Sequence, residues 1–263
     1  MSRLFTFGCS FTYYSWPTWA NIVAIDKQTP FYNFGMAGLG NVGIHQRVLE
    51  ADLKYNFTSE DKIMIMWTSY SRNDQVLGYD YEAAGSVFNK KRHSTWYKLN
   101  WSRSNDIIKN SNAIIYTNKA YNVNWQMAAF DHTFVETGEF SVDSDVSDNN
   151  FANSLQTMFN KKLPELKKIS FKEAGNRSSF DIVADSHPDV NDHLNILLDS
   201  GYRLKPKTIE VTKNLYNDIK NKLTNDHITD FDQATSTIAT IIEKDYFDTF
   251  YKYQSYESLG KGI

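Results

Sequence analysis

Four short segments carry side chains able to take part in acyl chemistry, and they follow one another in a fixed order. GCSFT (8–12) puts Ser10 just after a Gly that stops an apolar run. A hydroxyl there is a nucleophile if an adjacent base takes its proton; otherwise it caps a helix or closes a turn. NFGMAGLGN (33–41) has glycines that tolerate positive φ and let backbone N–H groups approach a ligand; a tight turn is the ordinary alternative. MWTSYSRND (66–74) holds Asn73, whose amide can face a developing oxyanion or close a turn. DSHPDVNDH (185–193) sets Asp185 two residues before His187. A carboxylate beside an imidazole fixes its tautomer and stabilises the imidazolium, which the base of a Ser nucleophile requires. An Asx turn before Pro188 with a surface His is the competing reading. So is a metal site from Asp185, His187, Asp189 and His193, although no metal motif has this spacing.

Related motifs do not fit. Thr12 stands where a G-x-S-x-G elbow has its last Gly. G-M-A-G-L-G has G-x-x-G-x-G spacing, not that of a dinucleotide fingerprint. DSDVSDNN (143–150) lacks the Gly and distal Glu of a calcium loop.

The elements that must position these segments alternate. RLFTF (3–7) reads as a strand, 15–26 as a helix with Pro17 in its first turn, and FYNF (31–34) as a strand. In 41–55, Val42, Ile44, Val48, Leu49 and Leu53 suit one helix face. KIMIMW (62–67) is continuously apolar, as a strand buried on both faces should be. This alternation predicts an α/β domain with a parallel sheet. Residues 75–100 read as irregular and aromatic, 102–130 as mostly helical, and 151–169 as helical to Pro164 or beyond. SFDIVA (179–184) reads as a short strand, and 191–200, 206–223 and 230–253 as helices.

Composition bounds the rest. The 263 residues are 41% hydrophobic and 22% charged with net charge −3, and the Lys pairs are scattered. This is a globular chain without the concentrated basic field of a nucleic-acid binder. Cys9 is the single cysteine, so neither an internal disulfide nor a Cys-rich zinc site can form. The N-terminus enters a strand at once, leaving no room for a signal peptide, and no apolar run of about 18 residues exists. The expectation is cytoplasmic synthesis without membrane association.

With Ser after strand one, Gly after strand two, Asn after strand three and Asp-x-His near the end, the chain resembles the SGNH hydrolases, also called the GDSL esterase/lipase family. The resemblance spans roughly 3–74 and 180–200. It implies a flavodoxin-like three-layer α/β/α sandwich with a central parallel sheet. It also implies a Ser-His-Asp triad of Ser10, His187 and Asp185, an oxyanion hole from Ser10, Gly38 and Asn73, and no cofactor. Cys9 replaces the Asp of G-D-S and Ser71 the Gly of G-x-N-D. The Asp–His gap is two, similar to certain polysaccharide O-acetyl enzymes. Cys9 is expected to be a small buried residue beside the site; a Cys nucleophile is the other option.

The expected domain is 1–205, with a helical insertion at about 75–179, and 206–263 forms a helical extension packed on it. The expected activity is hydrolysis of short-chain or acetyl esters, on a carbohydrate if the aromatic residues after Asn73 stack on sugar rings. A non-catalytic glycan-binding module and an O-acyltransferase are the alternatives.

Overall fold

A computed structural model describes residues 2–67, 75–77, 80–82, 124–130, 166–169, 178–185, 187–199 and 201–255. The first half runs β1 (Leu4–Phe7), α1 (Trp19–Lys27), β2 (Phe31–Asn33), α2 (Asn41–Tyr55) and β3 (Lys62–Trp67). Then come β4 (Gln75–Leu77), β5 (Asp80–Glu82), β6 (Asn124–Phe130) and β7 (Leu166–Ile169). The C-terminal part holds α3 (Val190–Asp199), α4 (Pro206–Asn225), α5 (Phe231–Ile241), a π-helical turn (Ile242–Tyr246), α6 (Phe247–Phe250) and β8 (Gln254–Ser255).

Six strands form one parallel sheet in the order β7-β6-β3-β1-β2-β8, and β4 and β5 form a separate antiparallel pair. Leaving out the edge strand β8, the order is the flavodoxin-like 2-1-3-4-5. Strand β1 is central, and all four of its residues are buried. The chain moves from β1 to β2 on one side, then crosses back to β3 on the other. Right-handed crossovers in opposite directions place α1 and α2 on opposite faces of the sheet. The result is an α/β/α sandwich whose topological switch lies between β1 and β3.

Each layer has a visible cause. On the α2 side, the Phe5 ring lies 4.7 Å from Phe57 and 5.6 Å from Tyr55. The buried stripe of α2 is Ile44, Val48 and Ala51, continuing to Tyr55. Leu53, expected on that stripe, is 87% exposed, because the helix turns Ala51 inward instead. On the other side α1 is buried from Trp19 to Asp26, packed under α3, α4 and α6. It starts later than expected. Thr18 is its N-cap, and the Thr18 amide donates to Asn21 Oδ1 at 3.1 Å, the reciprocal half of a capping box. Pro17 therefore precedes the cap.

Two stretches read as helical contain strands. Asn124–Phe130 is β6 and Leu166–Ile169 is β7, so the segment expected as an insertion supplies two strands of the main sheet. The rest of these two helical readings, 102–123 and 151–165, lies outside the described residues. SFDIVA forms not a sheet strand but a tight loop closed by a Ser179–Val183 bridge. The tail is tied to the core by Asp26 of α1, 1% exposed, which accepts from the Lys205 amide at 2.7 Å and from Thr208 Oγ1 at 3.1 Å. In the tail, Ile238, Ile242, Tyr246 and Phe250 form the buried stripe, and β8 then pairs with β2.

Candidate active site

The site is built at the carboxyl end of β1. Thr12 and Tyr13 both donate their amides to the Cys9 carbonyl, which folds residues 9–13 into a tight elbow. The Thr12 carbonyl accepts from Thr18 Oγ1 at 2.7 Å and from Asn33 Nδ2 at 2.9 Å, locking the elbow to the start of α1 and the end of β2. Gly8 is required by space: a Cβ there would stand 2.0 Å from Thr12 Oγ1 and 3.0 Å from the Met66 carbonyl. Gly35 meets the same elbow from the β2 side, with Thr12 and Tyr13 atoms 2.9 Å from where its Cβ would be. Cys9 is fully buried and points into the core, and Ser10 is left at the mouth of the sheet, 3% exposed.

Residues 178–189 bring the second half. The Ser179 amide donates to the Asp185 carbonyl at 2.8 Å, and its hydroxyl is within reach of the Asp185 and His187 carbonyls, at 2.9 and 2.6 Å. Trp16 Nε1 donates to the Pro188 carbonyl at 2.9 Å, pinning this loop to the elbow. Asp189 turns away to cap α3, accepting from the amides of Asn191 and Asp192 with Oδ1 and from Phe180 with Oδ2. Phe180 and Asp181 have φ of 56° and 63°. That left-handed pair costs about 1–3 kcal/mol per residue. Burial of Phe180 between Trp16 and Tyr216, with an Asp181–Lys220 ion pair at 2.5 Å, holds it in place.

These two loops meet. His187 Nε2 lies 3.1 Å from Ser10 Oγ, and His187 Nδ1 lies 2.8 Å from Asp185 Oδ1. The imidazole is set between two rings: Tyr14 stacks on one face at 4.0 Å and 19°, and Phe11 meets it edge-on at 5.5 Å. The Tyr14 hydroxyl donates to Asp185 Oδ2 at 2.9 Å. Burial pushes the Asp185 carboxyl up, but the hydrogen bond and charge of His187, with the Tyr14 bond, outweigh it and leave it below the ordinary aspartate value. Burial and the neighbouring Asp185 charge push the Tyr14 phenol well up, so it is a donor at all working pH values.

Three of the five expected site residues are thus in one hydrogen-bonded chain. Gly38 sits in the turn after β2 with φ of 81°, where the Leu39 amide reaches back to the Met36 carbonyl. Asn73 lies outside the described residues. Asn33, which opens the glycine segment, is a clamp between β1, β2 and the elbow: its Oδ1 accepts from Thr6 Oγ1 and the Gly35 amide. Sequence reasoning missed Tyr14 and Ser179, whose partners are set by the tertiary fold and leave no local signal. Asp189, weighed in the sequence as a metal ligand, instead caps α3, a role its spacing to Asn191 and Asp192 signals locally. Among the described residues, no group of three or more His, Cys, Asp or Glu is placed to hold a metal ion. No described helix is long and apolar enough to cross a membrane.

No protein-family model matches the sequence, and no curated protein matches it. Among solved structures, the chain is similar to a crystal structure of a member of the lipolytic protein G-D-S-L family from Veillonella parvula DSM 2008. The identity is 14% and the TM-score 0.37, over 78% of this chain and 100% of that one.

Proposed function

We propose that the protein is a serine ester hydrolase of the SGNH kind, acting on short-chain or acetyl esters. The observation that carries the reading is the continuous chain from Ser10 Oγ through both nitrogens of His187 to Asp185 Oδ1. Its position supports it too, since the carboxyl ends of strands beside the topological switch are where open α/β sheets bind ligands.

In the proposed reaction His187 Nε2 takes the Ser10 proton as Oγ attacks the ester carbonyl. The amides of Ser10 and Gly38 and the side chain of Asn73 would receive the oxyanion. The imidazolium then gives its proton to the leaving alcohol as the carbonyl re-forms, leaving an acyl-serine. Water, deprotonated by His187, releases the acid and restores the hydroxyl. Asp185 keeps Nδ1 protonated throughout, so Nε2 is the nitrogen free to accept. Half-buried Phe11, edge-on to the His187 ring, suits a substrate with a flat apolar face, such as an acetylated sugar.

The test is p-nitrophenyl acetate turnover together with fluorophosphonate labelling. Wild type is expected to turn over and to be labelled on Ser10. Ser10→Ala should lose roughly 10⁴-fold or more in kcat and all labelling. Equal turnover by the two proteins, or a folded wild type inert to both reagents, would defeat the reading.

A further inference from the structure

Tyr13 and Tyr14 are adjacent and identical in type, yet only Tyr14 makes contacts that bear on the imidazole. Tyr13 is half exposed at the surface. Tyr14 touches both partners of the Asp185–His187 pair: its ring stacks on the imidazole face and its hydroxyl donates to the Asp185 oxygen that the imidazole does not use. We propose that Tyr14 is a positioning residue for the base, holding the planes of the Asp185 carboxylate and the His187 imidazole so that Nε2 stays aimed at Ser10. Its relevance to turnover rests on the hydrolase reading above.

The need for such a residue follows from soft torsions. The χ2 angles of Asp and His rotate about sp³–sp² bonds and have broad wells. The imidazole bond at Asp185 Oδ1 and the weaker bond from the His187 amide both come from one residue and leave the carboxylate plane free to swing about it. A bond from a separate element, at Oδ2, fixes the plane. The imidazole has the same freedom, and a ring stacked at 4.0 Å on one face with the Phe11 edge at 5.5 Å removes it. Tyrosine suits both tasks because it joins a flat face to a donor at its far end. Tyr14 is itself held, with Trp16 edge-on to it at 4.6 Å and Phe231 at 6.3 Å. Trp16 in turn packs on Phe180, so the column runs from the strained loop to the base.

The two halves of the role act on the proton in opposite directions. The hydroxyl spreads the Asp185 charge and weakens its pull on the imidazolium. The ring face attracts the imidazolium that forms when Nε2 takes the Ser10 proton. Tyr14→Phe keeps the ring and drops only one oxygen, so it should fold and can carry the test alone. It is expected to lower kcat about 10-fold with KM changed less than about 2-fold, and to move the acid limb of the pH profile to higher pH. Tyr14→Leu removes both contacts. It should lower kcat about 100-fold, with its acid limb below that of the Phe variant. A Tyr14→Phe enzyme with wild-type kcat and acid limb would overturn the proposal, whatever its melting temperature.

The ring-proton titration of His187, followed by NMR in a Ser10→Ala background and assigned with His187→Asn, gives a reading independent of turnover. A titration moved upward by Tyr14→Phe supports the positioning role even if the protein hydrolyses no ester; superimposable curves overturn it.

Discussion

Ser10 Oγ and His187 Nε2 lie 3.1 Å apart although 177 positions separate them in the chain. The contact is assembled by backbone groups rather than by the two side chains alone. Thr18 and Asn33 hold the elbow through the Thr12 carbonyl, and Ser179 and Trp16 hold the opposing loop through the Asp185, His187 and Pro188 carbonyls. Such preorganisation keeps the nucleophile and base in register before substrate arrives.

Asp185→Asn tests the electrostatic half of the arrangement at nearly constant shape. An amide N–H₂ turned toward His187 favours the tautomer with the proton on Nε2, which cannot accept from Ser10. If the amide oxygen faces His187 instead, its N–H₂ faces the Tyr14 hydroxyl, and the imidazolium loses its anion. Either way kcat is expected to fall by roughly 10³–10⁴ with little change in KM. Steady-state kinetics at neutral pH decides; a loss under about 10-fold would mean Asp185 does not orient the base.

Gly8→Ala tests the elbow. The new Cβ meets Thr12 Oγ1 at 2.0 Å and the Met66 carbonyl at 3.0 Å, so either the turn or β3 must shift. Overpacking of this kind costs about 1–3 kcal/mol. Because Ser10 is two residues away, activity should fall more than stability. Thr12 Oγ1 is buried without a hydrogen-bond partner, so Thr12→Ala removes the worst overlap cheaply. Thr12 Cβ would remain 2.9 Å away, so Gly8→Ala/Thr12→Ala should recover stability only in part. Thermal melts of both variants check this; a wild-type melting temperature for Gly8→Ala would refute it.

How much of this was legible in the sequence depends on whether the information was local. Helix 41–55 and strand 62–67 carry their patterns within their own residues, and both boundaries agree with the structure. Strands β6 and β7 do not. NWQMAAF alternates only over its first four residues and LKKI not at all, and patterns this short do not distinguish strand from helix. Their assignment comes from pairings such as Ala128 with Met66 and Lys167 with Ala128, which are properties of the sheet. The residue types of the site were readable at Ser10, Asp185 and His187 because few other residues can do that chemistry. Tyr14 was not, since its partners arrive from the far end of the chain.

The Arg3–Asp61 pair sets an acid limit on stability. Asp61 is fully buried; Arg3 Nε and Nη2 reach its two oxygens at 2.8 and 2.6 Å, and the Thr58 amide adds a bond at 2.8 Å. Burial pushes the carboxyl up, but the Arg3 and Thr58 bonds and the Arg3 charge together hold it below its ordinary value. The unfolded chain therefore takes up this proton at a higher pH than the native protein does. The stabilisation is complete above about pH 4 and is lost as pH falls through the native value. Arg3→Met leaves the buried carboxylate with only its Thr58 bonds and should cost about 1–3 kcal/mol near neutrality, with the partial exposure of Arg3 allowed for. Urea titrations at pH 7 and pH 3 should show the gap between variant and wild type narrowing in acid; a gap independent of pH would contradict the assignment.

Lys62 works in the opposite sense, at the amino end of β3, away from Ser10. Its Nζ donates to the Tyr202 hydroxyl at 3.0 Å, and Lys27 Nζ lies 5.4 Å from the same ring. Burial, with the Lys27 charge added, lowers the Lys62 ammonium to about 8 from its ordinary 10.5, against a smaller opposing effect of Asp26. The native protein thus releases this proton near pH 8, while the unfolded chain keeps it to above pH 10. Between those values the unfolded state binds more protons, so the group makes stability rise with pH. Below pH 8 both states are charged and the full desolvation penalty acts on the fold. Lys62→Met removes that penalty while keeping an unbranched apolar stem. It is expected to stabilise by about 1–2 kcal/mol at pH 7, with partial exposure and the lost Tyr202 bond allowed for. That corresponds to a melting temperature higher by roughly 2–6 °C for a chain of this size. The advantage should shrink steadily from pH 8 to pH 10, because only the wild type gains there. Melts of the two proteins across that range test it: a variant that melts lower at pH 7, or an offset that stays constant to pH 10, would show that Lys62 is not held in an unfavourable charged state.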